Sequence, residues 1–137
     1  MRFLAIYKTT ETGVPPTAEE MARMGQLIEE QTNAGHLLAT EGCLPSAMGA
    51  RVRRSNGKLS VTDGPFTESK ELIAGFALLQ AKSKEEAIEL AKRFLEVAGD
   101  GESEIRQIAE AEDFGPEFTP ELREQEERQR ARMAAQR

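Results

Sequence analysis

Leu72-Ile73-Ala74-Gly75-Phe76-Ala77-Leu78-Leu79-Gln80-Ala81-Lys82 is apolar at odd and even positions alike, with only Gln80 and the closing Lys82 interrupting it. A strand of that pattern is buried on both faces and belongs in the middle of a sheet. The run is far shorter than the roughly 20 apolar residues that span a bilayer. Arg2–Lys8 (RFLAIYK) has the same character, mixing aromatic, branched and small apolar side chains on both alternating faces. Two central strands therefore anchor the reading, and the remaining elements are placed around them.

Thr9–Pro16 is a polar, Pro-containing gap, after which Thr17-Ala18-Glu19-Glu20 forms a capping box. The helix that starts there buries Met21, Met24, Leu27 and Ile28 at i, i+3 and i+4 spacing and stops at Asn33-Ala34-Gly35. Gly25, in mid-helix, costs about 1 kcal/mol relative to Ala, so close backbone packing is expected there. Leu37–Leu44 is extended and is broken by Pro45-Ser46; Cys43 within it reads as a small buried hydrophobe. Ala50 and Val52 alternate with Arg51 and Arg53, Asn56-Gly57 is a type I′ turn pair, and Leu59 and Val61 alternate with Ser60 and Thr62 on the return. Gly64-Pro65 ends that hairpin. Ser83-Lys84-Glu85-Glu86 is a second capping box, opening a helix that presents Ala87, Ile88, Ala91, Phe94 and Leu95 and stops at Gly99. A last strand is expected around Glu104–Glu110.

The order is strand, helix, strand, hairpin, strand, helix, strand, which is the pattern of an α+β ferredoxin-like sandwich. Right-handed crossovers place both helices on one sheet face. Since the central strands are apolar on both faces, the second face needs a cover, and a homodimer joined sheet to sheet supplies it. The domain is expected to cover residues 1–115. Residues 116–137 form a charged tail with five Arg and five Glu, in which Thr119-Pro120 starts a helix, Glu124 pairs with Arg128 and Glu126 with Arg130, and Phe118, Leu122 and Met133 offer light docking.

The chain has 137 residues, 39% hydrophobic and 31% charged, the composition of one globular domain. Eighteen basic against 24 acidic residues give a net charge of −6, which argues against nucleic-acid and anionic-membrane partners, the interleaved glutamates of the tail cancelling its arginines. Met1-Arg2 leads into a strand rather than a secretory signal, so the cytoplasm is the expected compartment. The single cysteine, Cys43, excludes an internal disulfide and a cysteine zinc cage. No metal motif, dinucleotide fingerprint, phosphate loop or Ser-His-Asp signature occurs, so no cofactor is expected.

Val61-Thr62-Asp63-Gly64-Pro65-Phe66-Thr67-Glu68-Ser69-Lys70-Glu71-Leu72-Ile73-Ala74-Gly75-Phe76 strongly resembles the signature of the DGPF-domain branch of the YCII-related family. Gly13–Pro16, Leu38–Gly42, Gly49–Val52, Ala87–Glu89 and Ala111–Glu117 resemble their counterparts too, so the likeness covers nearly the whole chain. Many relatives have Gly-Gly where Ala74-Gly75 stands. The resemblance implies a dimeric α+β barrel and, through the sigma factors that relatives are often encoded beside, an alternative role as a regulatory protein partner. For some YCII-related proteins it also implies a His–Asp pair with the histidine on the first helix; here that helix has none, because His36 follows Gly35, and Asp63 is the counterpart of the aspartate.

Asp63 is the leading candidate for catalysis. Strand parity puts it on the face of Leu59 and Val61, where burial would suit a carboxylate for acid–base work near neutrality. Asp-Gly-Pro is equally ordinary turn chemistry, with the carboxylate accepting backbone N–H groups. Glu68, Lys70 and Glu71 would add carboxylates and a cation around one acidic cleft, a site for an unknown small molecule. Arg51 and Arg53, on one strand face, would meet an anionic group or guard an edge strand. His36, the only imidazole, would serve as a base or haem ligand but has no partner at a diagnostic spacing. Gly64, Pro65, Phe66 and Gly75 are read as structural, Phe66 as an apolar anchor of the loop.

Overall fold

The computed structural model describes residues Met1–Gln136. In chain order these form β1 (Arg2–Thr9), α1 (Ala18–Asn33), β2 (Leu37–Gly42), β3 (Ala50–Ser55), β4 (Lys58–Asp63), β5 (Leu72–Gln80), α2 (Lys84–Ala98), β6 (Glu102–Gln107) and α3 (Pro120–Ala135), with 3₁₀ turns at Ser46–Met48 and Ala111–Phe114. The chain separates into two compact units, Met1–Gln107 and the segment from Ile108 onward. The first is an α+β ferredoxin-like sandwich: β2-β5-β1-β6 make a four-stranded sheet with every pairing antiparallel, and α1 and α2 pack side by side against it.

Local chemistry sets the element ends. The Thr17 hydroxyl accepts from the Glu20 N–H while the Glu20 carboxylate accepts from the Thr17 N–H, the reciprocal box that starts α1. At α2 only half of such a box forms, because Ser83 accepts from Glu86 N–H but the Glu86 carboxylate turns to the N–H of Lys82. Asn56 and Gly57 both take positive φ, 51° and 77°, which makes the type I′ turn between β3 and β4. β6 starts at Glu102 and ends at Gln107, earlier than its sequence pattern places it, because its one partner is β1 and the register reaches Phe3 opposite Gln107. In the second unit, Thr119 caps α3, Pro120 takes its first turn, and the Glu124–Arg128 and Glu126–Arg130 pairs close at 3.1 and 2.7 Å.

Four expectations about packing are corrected. In the α1 stripe Leu27 is buried, but Met21 is 55% and Ile28 37% exposed. The β3–β4 hairpin forms its own two-stranded sheet outside the main one, and every residue in both strands is exposed. Cys43 lies one residue past β2 and is exposed, its backbone N–H still bonded to the Ala74 carbonyl. A Cβ at Gly25 would meet nothing within 4 Å, and nothing in the structure explains that glycine.

The antiparallel registers line up rows of side chains across the helix-covered face. The first row is Leu37, Leu79, Phe3 and Gln107; the second is Thr40, Ala77, Ala5 and Ile105; the third is Gly42, Gly75, Tyr7 and Ser103. Core packing is concentrated at the first row, where Phe3 (1% exposed), Leu79, Ala81 and Ala87 (0%) form one cluster and the small side chain of Ala87 lets α2 lie close on the sheet. Tyr7 meets Phe94 of α2 edge to face at 5.1 Å. Over β2 and β5, the second and third rows shrink to Ala77, Gly75 and Gly42, and the side-chain layer there is thin.

The opposite sheet face carries Leu4, Ile6, Phe76, Leu78 and Ile73 on β1 and β5, with Phe76 39% and Ile73 54% exposed. Charges border it along β6: Lys8 bonds Glu104 at 2.7 Å, lies 3.9 Å from Glu102, and Arg106 adds a contact to Glu104 at 3.4 Å. The hydrogen bond from Lys8, with the charges of Lys8 and Arg106, holds the Glu104 carboxyl below the usual carboxylate range, and the same bond raises the Lys8 ammonium.

Gly75 is required by the approach of β2, since a Cβ there would stand 2.7 Å from the Glu41 carbonyl oxygen and 3.3 Å from Gly42 Cα. Gly75→Ala is expected to destabilise the protein by about 1–3 kcal/mol in a denaturant titration, as overpacking forces β2 outward. Unchanged stability would show that β2 yields freely.

Candidate functional site

The Asp63–Phe66 motif is a structural junction. A Cβ on Gly64 would fall 1.6 Å from the Ser46 carbonyl oxygen, so only glycine fits there. The Gly64 N–H donates to the Gly49 carbonyl at 2.9 Å, and the Phe66 N–H donates to Ser46 Oγ at 3.2 Å. Ser46, the buried polar residue of this corner, is held in turn by Glu11, whose carboxylate accepts from the Ser46 N–H at 2.6 Å and from its hydroxyl at 2.9 Å. The Gly64-Pro65 peptide is cis. Phe66 is half-buried rather than enclosed, and the Arg51 guanidinium lies over its ring at 3.9 Å.

Arg51 also pairs with Glu68 and reaches Ser69 Oγ at 3.3 Å. The hydrogen bond that the Glu68 carboxylate accepts from its own backbone, and then the one from Arg51, hold that carboxyl below the ordinary range. Arg51, Phe66, Glu68 and Ser69 are thus brought together into a clamp that fastens the loop to the hairpin. The other candidates are not drawn into it. Asp63 shares the face of Leu59 and Val61, as its parity requires, but that face is open to water, so burial does not act on it. Among the described residues its carboxylate has no hydrogen bond or ion pair, neither the turn contacts nor a partner for proton transfer. Arg53 is exposed on β3; Lys70 is exposed and its carbonyl accepts from Thr10 at 3.2 Å; Glu71 is exposed and adds a negative charge to the surroundings of Lys8. His36 sits at the start of β2, where its Nδ1 donates to the Gln80 carbonyl at 2.9 Å and lies 3.8 Å from Glu86. Those contacts tie β2 to the end of β5 and the first turn of α2.

The concave space lies elsewhere, between the helices and the thinned rows of the sheet. It is an apolar cavity of about 360 Å³, floored by Ala5, Ala77, Gly75 and Gly42, roofed by Met24, Leu27, Ile28 and Gln31 of α1, and walled by Leu90, Ala91 and Phe94 of α2. Asp63, Glu68, Lys70 and Glu71 line no part of it, so it is not the acidic cleft that the sequence suggests. Its polar side chains are few. The Tyr7 hydroxyl donates to the Asp100 carbonyl at 2.9 Å and the Thr40 hydroxyl to the Phe76 carbonyl at 3.0 Å, while the side chains of Gln31, Glu41 and Ser103 have no hydrogen bond among the described residues. A cavity of this size and lining suits a small apolar molecule.

Sequence reasoning missed this site although its signal is present. The helix-facing positions of β5, every second residue, run Leu79, Ala77, Gly75, and β1 sets Ala5 between Phe3 and Tyr7, a loss of volume that leaves room beneath a helix. The α1 stripe also continues past Ile28 to Gln31, where its periodicity calls for an apolar residue. Among the described residues no three His, Cys, Asp or Glu are grouped to hold a metal ion, and no helix is long and apolar enough to cross a membrane.

Two comparisons bear on the family. Residues 1–112 match the YCII-related domain. An uncharacterised protein of Rhizobium meliloti (strain 1021) is 31% identical over 90 residues, which is 65% of this chain and 73% of the relative.

The junction and the clamp have different tolerances. Gly64→Ala is expected to cost more than about 3 kcal/mol, because its methyl overlaps buried backbone, whereas Phe66→Ala removes a half-buried ring and is expected to cost about 1 kcal/mol. Thermal or chemical melting of the two variants checks the order; a larger loss for Phe66→Ala would contradict it.

Proposed function

The chain belongs to the YCII-related domain family, and we propose that it is a cytoplasmic, homodimeric small-ligand-binding protein of the DGPF branch whose ligand occupies the cavity between its helices and its sheet. The observation that carries the reading is the apolar cavity of about 360 Å³. Close-packed interiors hold few voids larger than a water molecule, and a space of this size left unfilled forfeits the contacts of everything that lines it. A ligand restores those contacts. The Val61–Phe76 segment supports the branch, since its Gly64 and Phe66 build the junction that holds the hairpin to the domain and its Gly75 lets β2 approach β5.

The exposed apolar strip of Phe76 and Ile73, continuous with Leu4, Ile6 and Leu78, supports the homodimer. Two such faces pressed together would form a second sheet-on-sheet layer, in keeping with the pattern of strands apolar on both sides. Light scattering at micromolar concentration is expected to give twice 15.1 kDa. A stable monomer would contradict this part of the reading.

A second reading, a non-catalytic partner of a regulatory protein, is favoured by the hairpin, whose Val52, Leu59 and Val61 share one face at 72, 73 and 65% exposure. Arg54 and Asp63 lie on the same face, and an exposed apolar patch bordered by charge is a ready contact surface. The two readings separate by where an apolar probe binds.

Ala77→Leu adds bulk to the cavity floor without introducing a polar group. It is expected to leave the melting temperature unchanged or raised, while binding of an environment-sensitive apolar dye falls at least tenfold. Undiminished dye binding in the folded variant would exclude the cavity and favour the hairpin.

A further inference from the structure

Gln31 stands where the apolar stripe of α1 faces the cavity, one turn beyond Leu27 and Ile28. Its Oε1 is fully buried and receives no hydrogen bond from the described residues. A buried amide oxygen without a donor bears the full desolvation penalty of the group, so such positions call for a donor from elsewhere. Of the other polar side chains in the lining, none has a buried atom left without a partner among the described residues. Tyr7 and Thr40 spend their hydroxyl protons on the backbone carbonyls of Asp100 and Phe76, and these bonds hold both hydroxyls in place.

We propose that the Gln31 amide is the polar anchor of the cavity, and that the ligand is a compact, mostly apolar molecule carrying one hydroxyl or N–H donor. The inference rests on the cavity being a ligand site. The apolar body fits against Ala5, Ala77, Leu90 and Phe94, and the donor meets the amide oxygen. Oε1 lies against protein, so the amide turns about its terminal torsion, which is soft and roughly two-fold, to present the oxygen to the ligand. A carboxylate or phosphate is disfavoured, because among the described residues no cationic side chain lines the cavity and Glu41 does.

The test uses two probes of nearly equal shape, 1-naphthol and 1-methylnaphthalene, titrated into the full chain by NMR or intrinsic probe fluorescence. Their affinity ratio in the wild type is compared with that in Gln31→Met, which keeps an unbranched side chain and helix propensity, and in Gln31→Leu. Loss of the hydrogen bond is expected to shift the ratio about tenfold toward 1-methylnaphthalene in both variants. If both probes bind the wild type and the ratio is unchanged by either substitution, the anchor role is overturned while the cavity reading stands. If neither probe binds the wild type, the cavity reading fails, and the anchor role with it.

Discussion

The packing of α2 onto the first row of the sheet is the contact on which the rest of the domain depends. Phe3 and Leu79 offer a broad apolar floor, Ala87 lets the helix axis come close, and Ala81 closes the corner. Burying Phe3 alone contributes on the order of 2 kcal/mol. With α2 fixed there, α1 is placed by its contact with α2 and by Leu27, the buried residue of its stripe. The helical layer therefore rests on the large side chains of one row, and the smaller rows beyond it lie under a roof set at the height of the first.

That difference in height is the physical origin of the cavity. Ala5 and Ala77 replace a layer of methyl and methylene groups, and the Gly42–Gly75 pair has no side chains at all. Gly75 serves both needs, because the Glu41 carbonyl comes too close for a Cβ and the missing side chain opens the floor. Stability and capacity are thus divided within one sheet, with the closed row holding the fold and the open rows offering the space. The Asp63–Phe66 junction contributes to stability alone, since it fixes the hairpin through Ser46 and Glu11 and leaves Asp63 in water.

Much of the fold was legible in the sequence. The two runs apolar on both faces gave β1 and β5, Thr17 and Ser83 marked the helix starts, Asn56-Gly57 specified the hairpin turn, and right-handed connections put both helices on one face. The site was less legible, because its defining property is volume left unfilled, which depends on which rows face the helices and on how far α1 is held away. Polar residues drew the reading to Asp63 and its neighbours, where alternation gave the correct side of the hairpin but not whether anything covers that side. The hairpin strands pair only with each other and not with a strand of the main sheet among the described residues, a long-range fact that local alternation does not encode. Gln31 was missed for the opposite reason, since one polar residue at the end of an apolar stripe resembles an ordinary helix end.

The most direct test of the cavity as the binding site is the transfer of magnetisation from a bound aromatic probe to methyl groups of the protein labelled at alanine and valine. Nuclear Overhauser effects are expected from 1-naphthol to the methyls of Ala5 and Ala77, which lie beneath the helices. Effects confined to Val52 and Val61 of the hairpin would contradict the account.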